Sequence, residues 1–147
     1  MQTSASTKIN ATREQVWNVV TDIEKAKDRI ECILDIEVLE KPDSGLVGLK
    51  WKEKREMFGK EATETMWIIE AKEYEYYIAE AKSSGALYHS KVELSGEDGD
   101  ILLAMSFKST PQTFMAKLLT PMMFMMKGMI KKAFIKDMED IKKSLSK

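Results

Sequence analysis

The spacing of apolar and polar residues changes period twice along the chain. Residues 3–10 read as a short strand, with threonine and isoleucine at alternate positions. Val16, Val19 and Val20, with Trp17 beside them, then recur at helical spacing. Thr12 is placed to cap that helix, and Gln15 stands three residues on, as a capping box requires. A second short helix is expected over 22–27. From Cys32 the period becomes two: Cys32, Leu34, Ile36 and Val38 alternate with Ile33, Asp35, Glu37 and Leu39. After a turn at Pro42, Asp43, Ser44 and Gly45, strands are expected at about 46–57, 60–70, 74–82, 86–95 and 101–109. The links between the later strands are short and glycine-containing, which favours antiparallel hairpins.

The period returns to 3.6 at the C-terminal end. Thr110–Pro111 and Thr120–Pro121 each read as an N-cap followed by proline at the first helical position. They predict a short helix from 111 to about 119, a kink, and a long helix from 121 to about 145. Met123, Met126, Ile130, Phe134, Met138, Ile141 and Leu145 make one apolar stripe along the long helix. A meandering sheet must bury one face, and this helix is the element large enough to cover it. The expectation is an α+β fold, with residues 1–147 forming one domain.

The hairpin at Phe58–Gly59 sets a register. If Met57 pairs with Lys60, then Arg55 faces Ala62, Glu53 faces Glu64, Trp51 faces Met66 and Leu49 faces Ile68. The opposite side carries Lys50, Lys52 and Lys54, which must face water, so the first side faces inward. Glu53, Arg55 and Glu64 then sit among Trp51, Met57, Met66 and Ile68. Two opposed carboxylates need a nearby cation or a shared proton, and that suits a polar anchor for a ligand or an acid/base pair. Tyr88, Ser90, Val92 and Leu94, and then Ile101, Leu103, Met105 and Phe107, supply the apolar sides of the last two strands. Tyr88 brings a hydroxyl to that wall.

Composition narrows the choice of chemistry. The net charge is −1 and no stretch interleaves basic with aromatic residues, so no nucleic-acid partner is expected. Cys32 is the lone cysteine and His89 the lone histidine, so neither a disulfide nor a metal centre is expected. No Ser/His/Asp or Cys/His set is formed, and no catalytic residue is assigned. Met1–Ser6 lacks the pattern of a secretory signal, and the apolar runs are too short to span a bilayer. A cytoplasmic protein without stable membrane insertion is expected. Six of the 11 methionines fall between Met115 and Met129. Met122, Met125 and Met129 form a second stripe, whose readings are a lid, a homodimer contact, a shallow membrane contact or packing against the short helix.

Several segments resemble a known family. Ile9-Asn10-Ala11-Thr12-Arg13-Glu14-Gln15-Val16-Trp17 is similar to its strand-to-helix start, with Thr12 where proline is common. Thr21-Asp22-Ile23-Glu24 is similar to its next step, and Val47-Gly48 through Arg55 followed by Gly59-Lys60-Glu61 to its central hairpin. This is the START-like superfamily, in its polyketide cyclase/dehydrase (SRPBCC) branch. Where relatives often place tryptophan and proline after the second helix, Asp28-Arg29-Ile30-Glu31-Cys32 stands here. The resemblance implies a helix-grip fold: a curved antiparallel sheet of about seven strands around the C-terminal helix, with two short helices after the first strand. It also implies a small hydrophobic or amphipathic ligand between sheet and helix, with no cofactor. Trp51, Met57, Met66, Met105, Phe107 and Met126 would give apolar contact, Arg55 with Glu53 or Glu64 would hold a polar group, and Tyr88 would add its hydroxyl. The alternatives are a cyclase or dehydratase on an aromatic or polyketide-like substrate, and a chaperone-type interaction module.

Overall fold

The computed structural model describes residues 2–57, 59–83, 85–118 and 120–146, and within these the side chains of all but 57, 120 and 122–124. Strand β1 (Gln2–Ile9) buries Thr3 and Ile9 and leaves the alternate polar positions exposed. Helix α1 (Arg13–Val20) begins with the expected capping box. The Gln15 amide donates to Thr12 Oγ1 at 3.1 Å, and the Thr12 amide donates to Gln15 Oε1 at 2.9 Å. Its Val16, Trp17 and Val20 are buried. The second short helix is a 3-10 helix, Ile23–Asp28, rather than an α turn, and it buries only Ile23.

Six strands follow: β2 (Ile33–Glu40), β3 (Lys50–Met57), β4 (Lys60–Lys72), β5 (Tyr76–Ser83), β6 (Ala86–Glu97) and β7 (Asp100–Pro111). With β1 they form one antiparallel sheet in the order β1-β7-β6-β5-β4-β3-β2. The last elements are α2 (Phe114–Leu118) and α3 (Thr120–Leu145), and α3 packs against β1, β7 and α1. The sheet curves round α3 in a helix grip, and the core joins both, from Ile9, Ile101 and Leu103 to Met138 and Ile141. Arg13 ties α1 to the sheet: its guanidinium donates to the carbonyls of Tyr74 at 3.0 Å, Leu94 at 3.2 Å and Gly96 at 2.6 Å.

The β3–β4 register is the expected one, with Arg55 opposite Ala62, Glu53 opposite Glu64 and Trp51 opposite Met66. Two expectations need correction. In β2 the pairing shifts between Ile33 and Asp35. This bulge turns Ile33 into the core, 5% exposed, and Leu34 outward, 41% exposed, so Cys32 and Leu34 do not share the face of Ile36 and Val38. Pro111 does not start a helix but ends β7 opposite Ala86. β1 pairs with β7 only as far as Lys108, so the missing N–H of Pro111 leaves no ladder bond unmade. Thr113 caps the five-residue α2 instead, its Oγ1 accepting from the Ala116 amide at 3.1 Å. The kink expected near 119 falls on Leu119, outside the described residues.

Candidate functional site

A cavity of about 390 Å³ lies between the concave face of the sheet and α3. One end of its wall is the 3-10 helix with Ile23, Ala26, Arg29 and Ile30, and the roof is Met126, Ile130, Phe134 and Ile141 of α3. Trp51 and Met66 come from the central hairpin, and Met105 from β7. Tyr88 stacks on Phe107 with centroids 5.5 Å apart, and Phe107 meets Phe134 edge-on at 6.5 Å. This aromatic wall joins sheet to helix. Met57 pairs with Lys60 as expected, but its side chain lies outside the described residues.

One polar patch interrupts the apolar lining. Arg55 Nε donates to Glu53 Oε2 at 3.1 Å, and Arg55 Nη2 donates to Asp137 Oδ2 at 3.0 Å. Trp51 Nε1 reaches Glu53 Oε1 at 3.4 Å. The Arg55 and Asp137 side chains are 16% and 9% exposed, so this is a mostly dehydrated ion pair. Burial disfavours the Arg55 charge, but Asp137 and Glu53 outweigh it and hold the guanidinium above its ordinary pKa. At Asp137 the balance is the reverse. Burial pushes its carboxyl up more than Arg55 pulls it down, and Glu53 and Asp140 add to the rise. The two directions agree with one guanidinium shared between two carboxylates. Asp137 Oδ1 is buried without a hydrogen-bond partner, which accounts for part of the discomfort of the charged form.

Glu64 stands opposite Glu53 on β4 and, among the described residues, has no hydrogen-bond or ion-pair partner. With Ala62 it is exposed while lining the cavity, so the chamber meets solvent at this edge. Loss of water on its inner side and the nearby Glu53 raise its pKa, with Arg55 acting against them. The Tyr88 hydroxyl is also raised, by burial and by Glu64.

Two charged lining residues were not expected from the sequence. Asp137 is three residues after Phe134 and four before Ile141, so an acidic residue on the apolar stripe was the available sign of it. Arg29 pairs with Asp22 at 3.3 Å and also lines the cavity. It stands in the segment where the chain departs from the family pattern.

Solved structures share this architecture over nearly the whole chain. The Zhui aromatase/cyclase from Streptomyces sp. R1128 superposes with a TM-score of 0.78 at 13% identity, over 99% of this chain and 93% of that one. A START superfamily protein from Mycobacterium smegmatis gives 0.78 at 11% identity, over 99% and 97%. The chain has the START-like helix-grip fold. The di-domain aromatase/cyclase BexL from the BE-7585A biosynthetic pathway gives 0.79 at 10% identity, over 100% of this chain and 50% of BexL. No protein-family model matches the sequence. No curated protein is significantly similar to it.

In this START-like chain His89 lies on the convex face, facing Glu80 at 3.5 Å, away from the cavity. Among the described residues no group of His, Cys, Asp and Glu could hold a metal ion. No described helix is long and apolar enough to cross a membrane. The homodimer contact through Met122, Met125 and Met129 finds no support in these comparisons; Met125 and Met129 are 83% and 42% exposed in the single chain, and the Met122 side chain lies outside the described residues.

Proposed function

We propose that the protein binds a small hydrophobic or amphipathic molecule in the chamber between sheet and α3, in the cytoplasm. The observation that carries this reading is a mainly apolar cavity of about 390 Å³ with few charged groups on its wall, the patch of Glu53, Arg55, Glu64 and Asp137 and, apart from it, Arg29. That combination is the usual form of a small-molecule site. Trp51, Met66, Met105, Phe107 and Met126 supply apolar contact, and methionine adapts readily to irregular ligands. The patch holds the ligand's polar group. Arg55 is already engaged by Glu53 and Asp137, so the acceptors on offer are the Glu64 carboxyl and Asp137 Oδ1, which has no partner among the described residues, with the Tyr88 hydroxyl nearby on the same face. A ligand bearing a hydroxyl or another donor fits this arrangement better than a carboxylate does. Similarity in fold to a START superfamily protein and to aromatase/cyclases supports a cavity-based role.

The test is to purify the protein natively, denature it and search the extract for a small molecule by mass spectrometry. The expected result is a stoichiometric apolar compound carrying a donor group. An empty extract, together with no fluorescence response of a hydrophobic probe to the native protein, overturns the reading.

The raised carboxyl of Glu64 facing the cavity also favours a second reading, an enzyme of the cyclase or dehydratase type. Glu64→Gln or Glu53→Gln would then abolish turnover of an aromatic or polyketide-like substrate while leaving its binding intact. Turnover that survives both substitutions excludes this reading.

A further inference from the structure

Charge is unevenly distributed along the chain. Between Asp100 and Asp137 there are six lysines and no acidic residue, although the whole chain holds 23 basic and 24 acidic residues. This segment contains α2 and the first half of α3. Lys117, Lys127, Lys131 and Lys132 are all exposed there, and among the described residues none has an acidic partner. The same two helices carry large apolar side chains in water: Phe114 is 75% exposed, Met115 66%, Leu118 58%, Met125 83% and Met129 42%. α2 buries only Ala116. On α3, Met126, Ile130 and Phe134 face the cavity, while Met125 and Met129 occupy a different flank, with Lys132 one turn further on.

We propose that α2 and the first half of α3 form a docking face for an anionic lipid bilayer. A monomer in water gains nothing from five exposed large apolar side chains on two adjacent helices. A bilayer surface accepts both kinds of group at once, with the phenyl, thioether and leucine side chains in the acyl boundary and the ammonium groups at the phosphates. A second copy of the chain would bring like-charged lysines together. An acidic protein would match the charge, but the apolar side chains stand out from the surface instead of lining a groove. Binding is peripheral, because no described helix can span the membrane.

The experiment is co-sedimentation of the full chain with phosphatidylcholine vesicles, with and without phosphatidylglycerol. Two exposed double variants, Phe114→Ser/Met125→Ser and Lys117→Gln/Lys132→Gln, are run beside the wild type. Wild type is expected to partition onto the anionic vesicles and to come off at about 1 M salt, where screening reaches only a few ångströms. Each variant should lose about tenfold or more in partition. Circular dichroism should leave the fold of both unchanged. Neither variant touches a cavity-lining residue, so binding of a hydrophobic probe in the chamber should persist. Loss of that binding would therefore count against the cavity reading, not this one. No partition, equal partition onto neutral and anionic vesicles, or partition unmoved by both variants overturns the proposal. A dimer in sedimentation that Phe114→Ser/Met125→Ser dissolves, without vesicle binding, would assign the face to a second copy.

Discussion

Asp137 is the residue on which the cavity floor depends. Removing it leaves the mostly buried Arg55 with Glu53 as its only close carboxylate. Asp137→Ala should therefore cost about 3 kcal/mol in urea unfolding, whereas the triple change Glu53→Gln/Arg55→Met/Asp137→Leu should cost much less, because all three charges leave together. An equal loss in the single and triple variants would mean that packing, not charge, is at stake. The pH dependence has a definite sign. The folded pKa of Asp137 is raised, so the folded state keeps its proton after the unfolded chain has released it. Stability from this group is full below the ordinary carboxylate pKa of about 4 and declines as pH rises through the folded value. Asp140 acts oppositely: Lys136 at 2.6 Å and the Glu31 amide overcome its burial and lower its pKa, so its contribution is lost in acid. Asp137→Asn should reduce the decline above about pH 4, leaving the part that the raised Glu64 carboxyl contributes, and should leave the acid loss unchanged. At this scale the sequence was informative for Glu53, Arg55 and Glu64, because three lysines in alternation fixed which side of β3 was dry. It was silent on their partner from α3, since no local pattern links a strand to a helix 82 residues later.

Among the elements, those with one strong period were readable and those held by tertiary pairing were not. The β3–β4 hairpin and the α1 capping box depend on neighbours within a few residues. The bulge in β2 does not: Ile33 and Leu34 are both apolar, and only the pairing with Arg55 and Lys54 decides which turns inward. Deleting Leu34 should remove the bulge and restore strict alternation with Ile33 and Ile36 still on the inner face, so its cost should be small. Ile33→Ala should instead cost about 2–4 kcal/mol in unfolding free energy, set by one buried isoleucine. Thr110–Pro111 misleads for a similar reason, since pairing with Ala86 carries β7 past the helix-start signal. Gly85 records how tightly that corner is built. Its φ is +74°, and a Cβ there would stand 2.5 Å from Thr113 Oγ1, at the cap of α2.

For the molecule as a whole, the unfilled chamber predicts a ligand effect on stability. A compound that binds only the folded state at about one hundred times its Kd adds about 2.7 kcal/mol. For a domain of this size that corresponds to about 5–10 °C in the melting midpoint. Calorimetry with the compound recovered by extraction checks this, and no shift at saturation would mean that the compound does not bind the folded state preferentially. The architecture was legible because period, order and hairpin links agree with one another. The chamber's contents were not, because they depend on the space left between elements rather than on any element's pattern. That space also has a history. β1 cannot complete its edge of the sheet until β7 exists, and α3 comes after both. On the ribosome the concave face, with Trp51 and Met66, is therefore an open trough until the final helix emerges. A hydrophobic molecule present during synthesis meets a surface it can lie on, whereas one arriving later has to enter by the edge at Ala62 and Glu64.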